Sequence, residues 1–273
     1  MKNTKSYVSY MKSKYKSIKH STYFESYDHF FNNYRGKEIT FVEIGVLGGG
    51  SLFMWRDYFG PKARIIGVDL NPNAKKWEEH GFEIYIGSQS DENFWKDFNS
   101  QVGSIDVILD DGGHTYDQQI ITTEMLLSNI NNGGILVVED THTSYMYGFG
   151  PQKYSFIEYV KKKIDEINHR FGELHDLKSE RRFWSIEILE SMVAFKINLK
   201  ASNLLSIPTN NKGIDDQAKD FRYEDNLMIN KINLFNNKLN FLKFIPFMKI
   251  IARYLRSYLV NNKFRSKKFF RKK

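Results

Sequence analysis

Two short segments hold most of the side chains that could do chemistry together. One is Asp110-Asp111-Gly112-Gly113-His114 and the other is Glu139-Asp140-Thr141-His142. Each follows an apolar, β-branched run, IDVILD over 105–110 and GILVVE over 134–139, so each acidic group stands at the carboxyl end of a strand. If the two strands are parallel neighbours, Asp111, Glu139 and Asp140 supply hard oxygen donors on one side of a divalent ion, a set that suits Mg2+. Without a cation, carboxylates so close raise one another's pKa. The alternative is that they are ordinary caps and solvated strand ends, because Asp is common in turns. His114, three residues past Asp111, is the candidate general base, since imidazole titrates near neutrality and a metal-held hydroxyl is easier to deprotonate. His142 is the competitor for that role, or a residue that orients the ligand.

A second group of polar residues lies at three other strand ends. The run ITFVEI (39–44) leads into Gly45-Val-Leu-Gly48-Gly49-Gly50-Ser51. Glycines between a strand and a helix let backbone approach a ligand, and the helix that follows presents unpaired N–H groups. Leu47 stands where a dinucleotide fingerprint requires glycine, which weakens a nicotinamide reading. A tight turn with no ligand is the plainer alternative. Asp69 ends RIIGVDL (64–70), placed to accept hydrogen bonds from ribose hydroxyls. The run FEIYIG (82–87) ends in Gly87-Ser88-Gln89-Ser90-Asp91, polar groups suited to the edge of an adenine ring.

The elements that must position these groups form a regular series. Strands alternate with longer mixed segments from residue 39, the pattern of βαβ units and a mainly parallel sheet. FWSIEIL (183–189) and SMVAFKI (191–197) nearly abut and read as an antiparallel hairpin closing one sheet edge. Between them and the fifth strand, residues 155–171 place Phe156, Ile157, Val160, Ile164 and Ile167 at helical spacing. The expected organisation is a basic N-terminal arm and lid at 1–38, an α/β body at 39–200, a linker or helical arm at 201–240, and a basic tail at 241–273. A content of 41% hydrophobic and 15% aromatic residues excludes a disordered chain. The lack of cysteine removes disulfides, thiolate metal sites and cysteine nucleophiles.

In this order and spacing, VEIGVLGGGS, GVDLNP, GSQSD, ILDDGGHTYDQQ and VVEDTHTSY resemble the class I S-adenosylmethionine-dependent methyltransferases. More narrowly, they resemble the Mg2+-dependent sugar O-methyltransferases that modify macrolide deoxysugars and related glycans. The likeness covers about residues 20–200 and implies a Rossmann-like fold. It implies that Glu43, Gly45, Gly49 and Ser51 surround the methionine part of the donor, that Asp69 holds the ribose, and that Ser88, Gln89, Ser90 and Asp110 complete the donor site. Asp111, Glu139 and Asp140 match metal ligands, His114 matches the base, and His20, Tyr23 and Tyr27 resemble a lid. The third motif often carries Asp where Ser88 stands, and Met146 replaces a common aromatic residue near the acceptor. The implied acceptor is a sugar or glycan, and a homo-oligomer is expected. Rival readings are a metal-independent methyltransferase of small molecules or lipid headgroups, and an inactive membrane-tethered binding module.

Charge sharpens the partner question. The net +8 comes from six lysines in residues 1–19 and eleven Lys and Arg in 241–273, while residues 20–240 carry net −9. An acidic body is a poor surface for a phosphate backbone, so no nucleic acid is expected. Residues 241–260 place Phe241, Phe244, Met248, Ile251, Leu255 and Leu259 at helical spacing with Lys249, Arg253 and Arg256 elsewhere, a basic amphipathic helix. That pattern fits peripheral contact with an anionic membrane, or docking on protein. With no signal-like segment and no 18-residue apolar run, the expected location is cytoplasmic, peripheral to the inner membrane face.

Overall fold

A computed structural model describes residues 2–171 and 182–214 continuously, and a few isolated positions beyond. The basic tail at 241–273 lies almost wholly outside the described residues. The chain divides into two compact units, Met1–Ile207 and Pro208–Lys273. Among the described residues, no helix is long and apolar enough to cross a membrane.

The first unit is built on seven strands: β1 (Thr40–Ile44), β2 (Arg64–Asp69), β3 (Glu83–Ile86), β4 (Ile105–Asp110), β5 (Ile130–Val138), β6 (Phe183–Leu189) and β7 (Met192–Ile197). Their order is β3-β2-β1-β4-β5-β7-β6. The first five are parallel, and β7 inserts antiparallel between β5 and β6. The seven strands expected from sequence are present. The largest boundary difference is in β5, which begins at Ile130 rather than Gly134. Asn131, Asn132 and Gly133 conceal that start, since none favours a strand, and the pairing with β4 shifts register there.

Continuous apolar strands suit a sheet covered on both faces. Phe41, Ile65, Val107, Leu109, Ile135 and Val137 face one core, and Val42, Ile44, Ile66, Val68, Ile108 and Leu136 face the other. The first core is completed by α2 (Tyr23–Phe31) and α3 (Gly50–Phe59). Tyr23, Phe24, Tyr27, Phe30 and Phe31 are all buried, so α2 is a core helix. Before it, α1 (Lys5–Lys12) is tied to α2 where Asp28 accepts from the backbone N–H groups of Lys5 and Ser6. The second core takes α4 (Glu92–Val102), α5 (Tyr116–Leu127) and α6 (Phe156–Asn168), and α7 (Leu199–Asn203) follows β7. The helix expected over 155–171 is α6, with Ser155 as its N-cap.

Sheet order reverses between β1 and β4, which opens a crevice at the strands' carboxyl ends. Backbone hydrogen bonds continue past the strands and align those ends. Gly45 donates to Val68 (2.8 Å), Asp111 to Ile44 (3.0 Å), Gly87 to Asp69 (3.0 Å) and Glu139 to Asp110 (2.9 Å).

Candidate active site

A cavity of about 520 Å3 fills the crevice, a volume suited to a small-molecule ligand. Of the residues singled out in the sequence, His20, Tyr23, Gly45, Asp69, Ser88, Gln89, Asp111, His114, Glu139 and Asp140 line it. Glu43, Gly49, Ser51, Ser90 and Asp110 do not, and four of these five support the walls from behind.

The glycine turn is shaped by its neighbours. Gly45 has φ +90°, and a Cβ there would lie 2.1 Å from the Asp111 carbonyl oxygen, so only glycine lets β1 and β4 end side by side. Gly49, at φ +76°, is pressed against the Trp77 indole. Asp69 fastens the turn: Oδ2 accepts from the N–H groups of Val46 (2.9 Å) and Leu47 (2.8 Å), and Oδ1 from Asn71 (2.8 Å). Three of its roughly four acceptor positions are thus used by backbone. Beneath the turn, the buried Glu43 accepts from Ser51 Oγ (2.7 Å) and Trp55 Nε1 (2.9 Å), and burial pushes its carboxyl up to about 7.

Gln89 organises the other wall. Its amide donates to Asp110 Oδ1 (2.8 Å) and Thr122 Oγ1 (3.3 Å), while its oxygen accepts from Gly113 N (2.8 Å). This holds the loop after β4 against β3. Asp110 also accepts from Gly112 N (3.2 Å), but its buried Oδ2 has no hydrogen-bond partner, and burial raises the carboxyl to about 7. Ser88 Oγ accepts from the N–H of Ser90, whose side chain is exposed.

The strand ends bring Asp111 and Asp140 together with His114, while Glu139, expected beside them, stays buried and outside this group. One ligand atom from each of Asp111, His114 and Asp140 lies within 4.8 Å of the others. His114 Nε2 is 3.2 Å from Asp140 Oδ2, while its Nδ1 is buried and unpartnered. His114 (φ +59°) and Asp140 (φ +54°) both adopt left-handed backbone, a strain that non-glycine residues keep mainly at functional sites. Tyr23 donates its hydroxyl to Asp140 Oδ1, and Tyr27 donates to Glu139 Oε1 (2.5 Å). Burial and the nearby carboxylates raise both phenols. Burial likewise keeps the Glu139 carboxyl well above the usual range, and its Oε2 accepts no hydrogen bond. His142 stands at the rim, 2.5 Å from Ser191 Oγ and 3.8 Å from Asp140 Oδ1.

Residues 42–141 match the family model of a methyltransferase domain. Over that stretch the chain is similar to a methyltransferase domain. Among curated relatives, it is 31% identical over 159 residues to the 8-demethyl-8-alpha-L-rhamnosyl tetracenomycin-C 2'-O-methyltransferase of Streptomyces olivaceus, covering 54% of this chain and 42% of that one. It is 32% identical over 157 residues to the mycinamicin VI 2''-O-methyltransferase of Micromonospora griseorubida, covering 53% and 39%. The matched segments therefore span about two fifths of those relatives. A solved structure of the MycE methyltransferase from the mycinamycin biosynthetic pathway, in complex with Mg, SAH and mycinamycin VI, superposes with a TM-score of 0.65 at 25% identity. It covers 76% of this chain and 55% of that one. The fold of the methyltransferase domain is accordingly the Rossmann-like α/β type.

Two residues of the site gave no signal in the sequence. Ser191, in the β6–β7 turn at φ +60°, has its Oγ 2.9 Å from the Tyr23 hydroxyl, whose proton goes to Asp140, and pairs with His142. Lys19 was one of six lysines in a segment that reads as a solvated basic arm, yet its side chain is only 2% exposed. Its Nζ hydrogen-bonds Asp111 Oδ2 and lies 3.6 Å from Glu139 Oε2 and 3.9 Å from Glu43 Oε1. Burial opposes that charge, but the three carboxylates outweigh it and raise the pKa. Burial holds the Glu43 and Glu139 carboxyls high, and a single ammonium shared with the half-buried Asp111 does not bring them down.

Proposed function

We propose that this protein is an S-adenosylmethionine-dependent O-methyltransferase acting on a sugar hydroxyl of a glycosylated acceptor, with Mg2+ assistance and His114 as general base. The observation that supports this most is the convergence, in one cavity, of the Asp69-bound glycine turn with the Asp111–His114–Asp140 cluster. Sugar O-methyltransferases among the relatives, matched over part of their length, supply the acceptor class.

The residues fit the groups the reading requires. Asp111 and Asp140 offer grouped carboxylate oxygens of the kind Mg2+ prefers, and Glu139, outside that group, has a buried Oε2 with no hydrogen-bond partner that could serve as a further donor. When bound, the ion would supply positive charge that favours a deprotonated acceptor oxygen, and the donor would supply a methyl group on a sulfonium centre. The chain's own contribution is placement. Gly45, Asp69 and Gln89 shape the donor side of the cavity. His114 takes the acceptor's hydroxyl proton, and the Asp140 carboxylate, with Oδ2 3.2 Å from Nε2, stabilises the imidazolium that forms. Tyr23 and Tyr27 fix Asp140 and Glu139. Orientation of this kind contributes about 7–11 kcal/mol in favourable cases.

One observation favours a second reading. Lys19 already provides a cation inside the carboxylate cluster, as a metal-independent methyltransferase would require. Calorimetry with S-adenosylmethionine tests donor binding in either case. Transfer of labelled methyl to rhamnosylated or deoxysugar acceptors, with Mg2+ or with EDTA, separates the two. Activity that survives EDTA undiminished rules out the metal-assisted reading.

A further inference from the structure

We propose that Lys19 and a divalent cation are alternative occupants of the carboxylate cluster, with Lys19 the internal cation that holds Asp111 and Glu139 together until the metal displaces it. The inference rests on the Mg2+ reading above and extends it to the protein's own regulation of metal entry. Lys19 Nζ contacts Asp111 Oδ2 and lies 3.6 Å from Glu139 Oε2, on two carboxylates that the reading above gives to the ion. The aliphatic stem and ammonium are enclosed, with the Tyr27 ring 5.6 Å from Nζ. Two positive charges cannot share those oxygens at contact distance without strong repulsion. A metal that takes both must move the ammonium away.

Lys19 is also attached to a structure that can respond. Residues 13–22 connect α1 to α2 without helix, and Ile18, Lys19 and His20 among them line the cavity. The segment is fastened at its start, where the Tyr15 ring packs on Phe53 and Trp77 and Ser13 Oγ donates to the Gly50 carbonyl (2.7 Å), and nearer Lys19 by the Tyr10 hydroxyl, which donates to the Ser17 carbonyl (2.9 Å). The Tyr15 and Lys16 carbonyls also lie close over Gly50, at the start of α3. Metal entry therefore releases the ion pair that anchors this strap over the donor cavity. A cation stands among the carboxylates in both states: the ammonium when the strap is closed, the metal when it has shifted.

The test is Mg2+ calorimetry on the full chain, comparing wild type with Lys19→Met and Lys19→Arg. Removing a competing charge is expected to tighten Mg2+ binding in Lys19→Met by about tenfold or more, whereas Lys19→Arg, which keeps the charge, stays within about twofold of wild type. If Lys19→Met needs metal to fold, its melting temperature must climb with Mg2+ more steeply than that of wild type, because a ligand specific to the native state stabilises by mass action. Equal or weaker Mg2+ binding in Lys19→Met, or a melting temperature indifferent to Mg2+, overturns this inference while leaving wild-type metal binding intact. Absence of Mg2+ binding in both wild type and Lys19→Met overturns the metal reading as well.

Discussion

Asp110 is the clearest place to perturb the electrostatics of the site. Its carboxyl is buried behind the cavity wall, with Oδ1 bonded to Gln89 and Gly112 and Oδ2 unpartnered. Burial raises it from the ordinary 3.8 to about 7. The native state therefore binds a proton more tightly than the unfolded chain does. Stability from this group is complete below pH 4 and is lost as pH rises through about 7. At about 1.36 kcal/mol for each tenfold change in proton affinity, the loss by pH 8 is roughly 4 kcal/mol. Asp110→Asn removes the titration while preserving shape, though its amide leaves a buried donor that costs about 1–3 kcal/mol at any pH. Urea unfolding from pH 4 to pH 8 should show the variant less stable than wild type at the acid end. That deficit should close, and reverse, toward pH 8. Glu43 and Glu139 titrate in the same direction in both proteins, so the difference isolates Asp110. A stability difference that does not change with pH would refute the reasoning.

Three further substitutions probe the walls and the chemistry. Gly45→Ala sets a Cβ 2.1 Å from the Asp111 carbonyl at φ +90° and should destabilise the fold by about 2 kcal/mol or more, read as a lower urea midpoint. Asp69→Asn replaces an oxygen used by the turn's N–H groups with an amide that cannot accept on both sides; donor binding should weaken about tenfold or more by calorimetry. His114→Gln should lower turnover by about 10²-fold or more with donor affinity nearly unchanged, since its Nε2 faces Asp140 and not the glycine turn.

Much of the scaffold was legible because the strands bury both faces and so read as unbroken apolar runs. Acidic residues immediately after such runs could be placed at the carboxyl edge before any contact was known. Parallel pairing of β4 with β5 then brought Asp111 and Asp140 together. What periodicity could not reveal was contact across long sequence separations. Lys19 reaches Asp111 over 92 residues, and its neighbours share its charge, so composition assigned it to solvent. The aromatic spacing of Tyr23, Phe24, Tyr27, Phe30 and Phe31 was the available sign that this region enters the core. Similarly, Gln89 reads as a ligand contact from its motif, yet its amide is occupied by Asp110, Thr122 and Gly113. Polar residues at a strand end can thus serve the wall as much as the ligand.

The central claim is methyl transfer to a sugar hydroxyl supported by the strand-end carboxylates. It is tested most directly by following labelled methyl from S-adenosylmethionine to a deoxysugar-bearing acceptor in wild type and Asp111→Asn, each with Mg2+ and with EDTA. The account predicts transfer only by wild type with Mg2+. Equal transfer in all four reactions would contradict it.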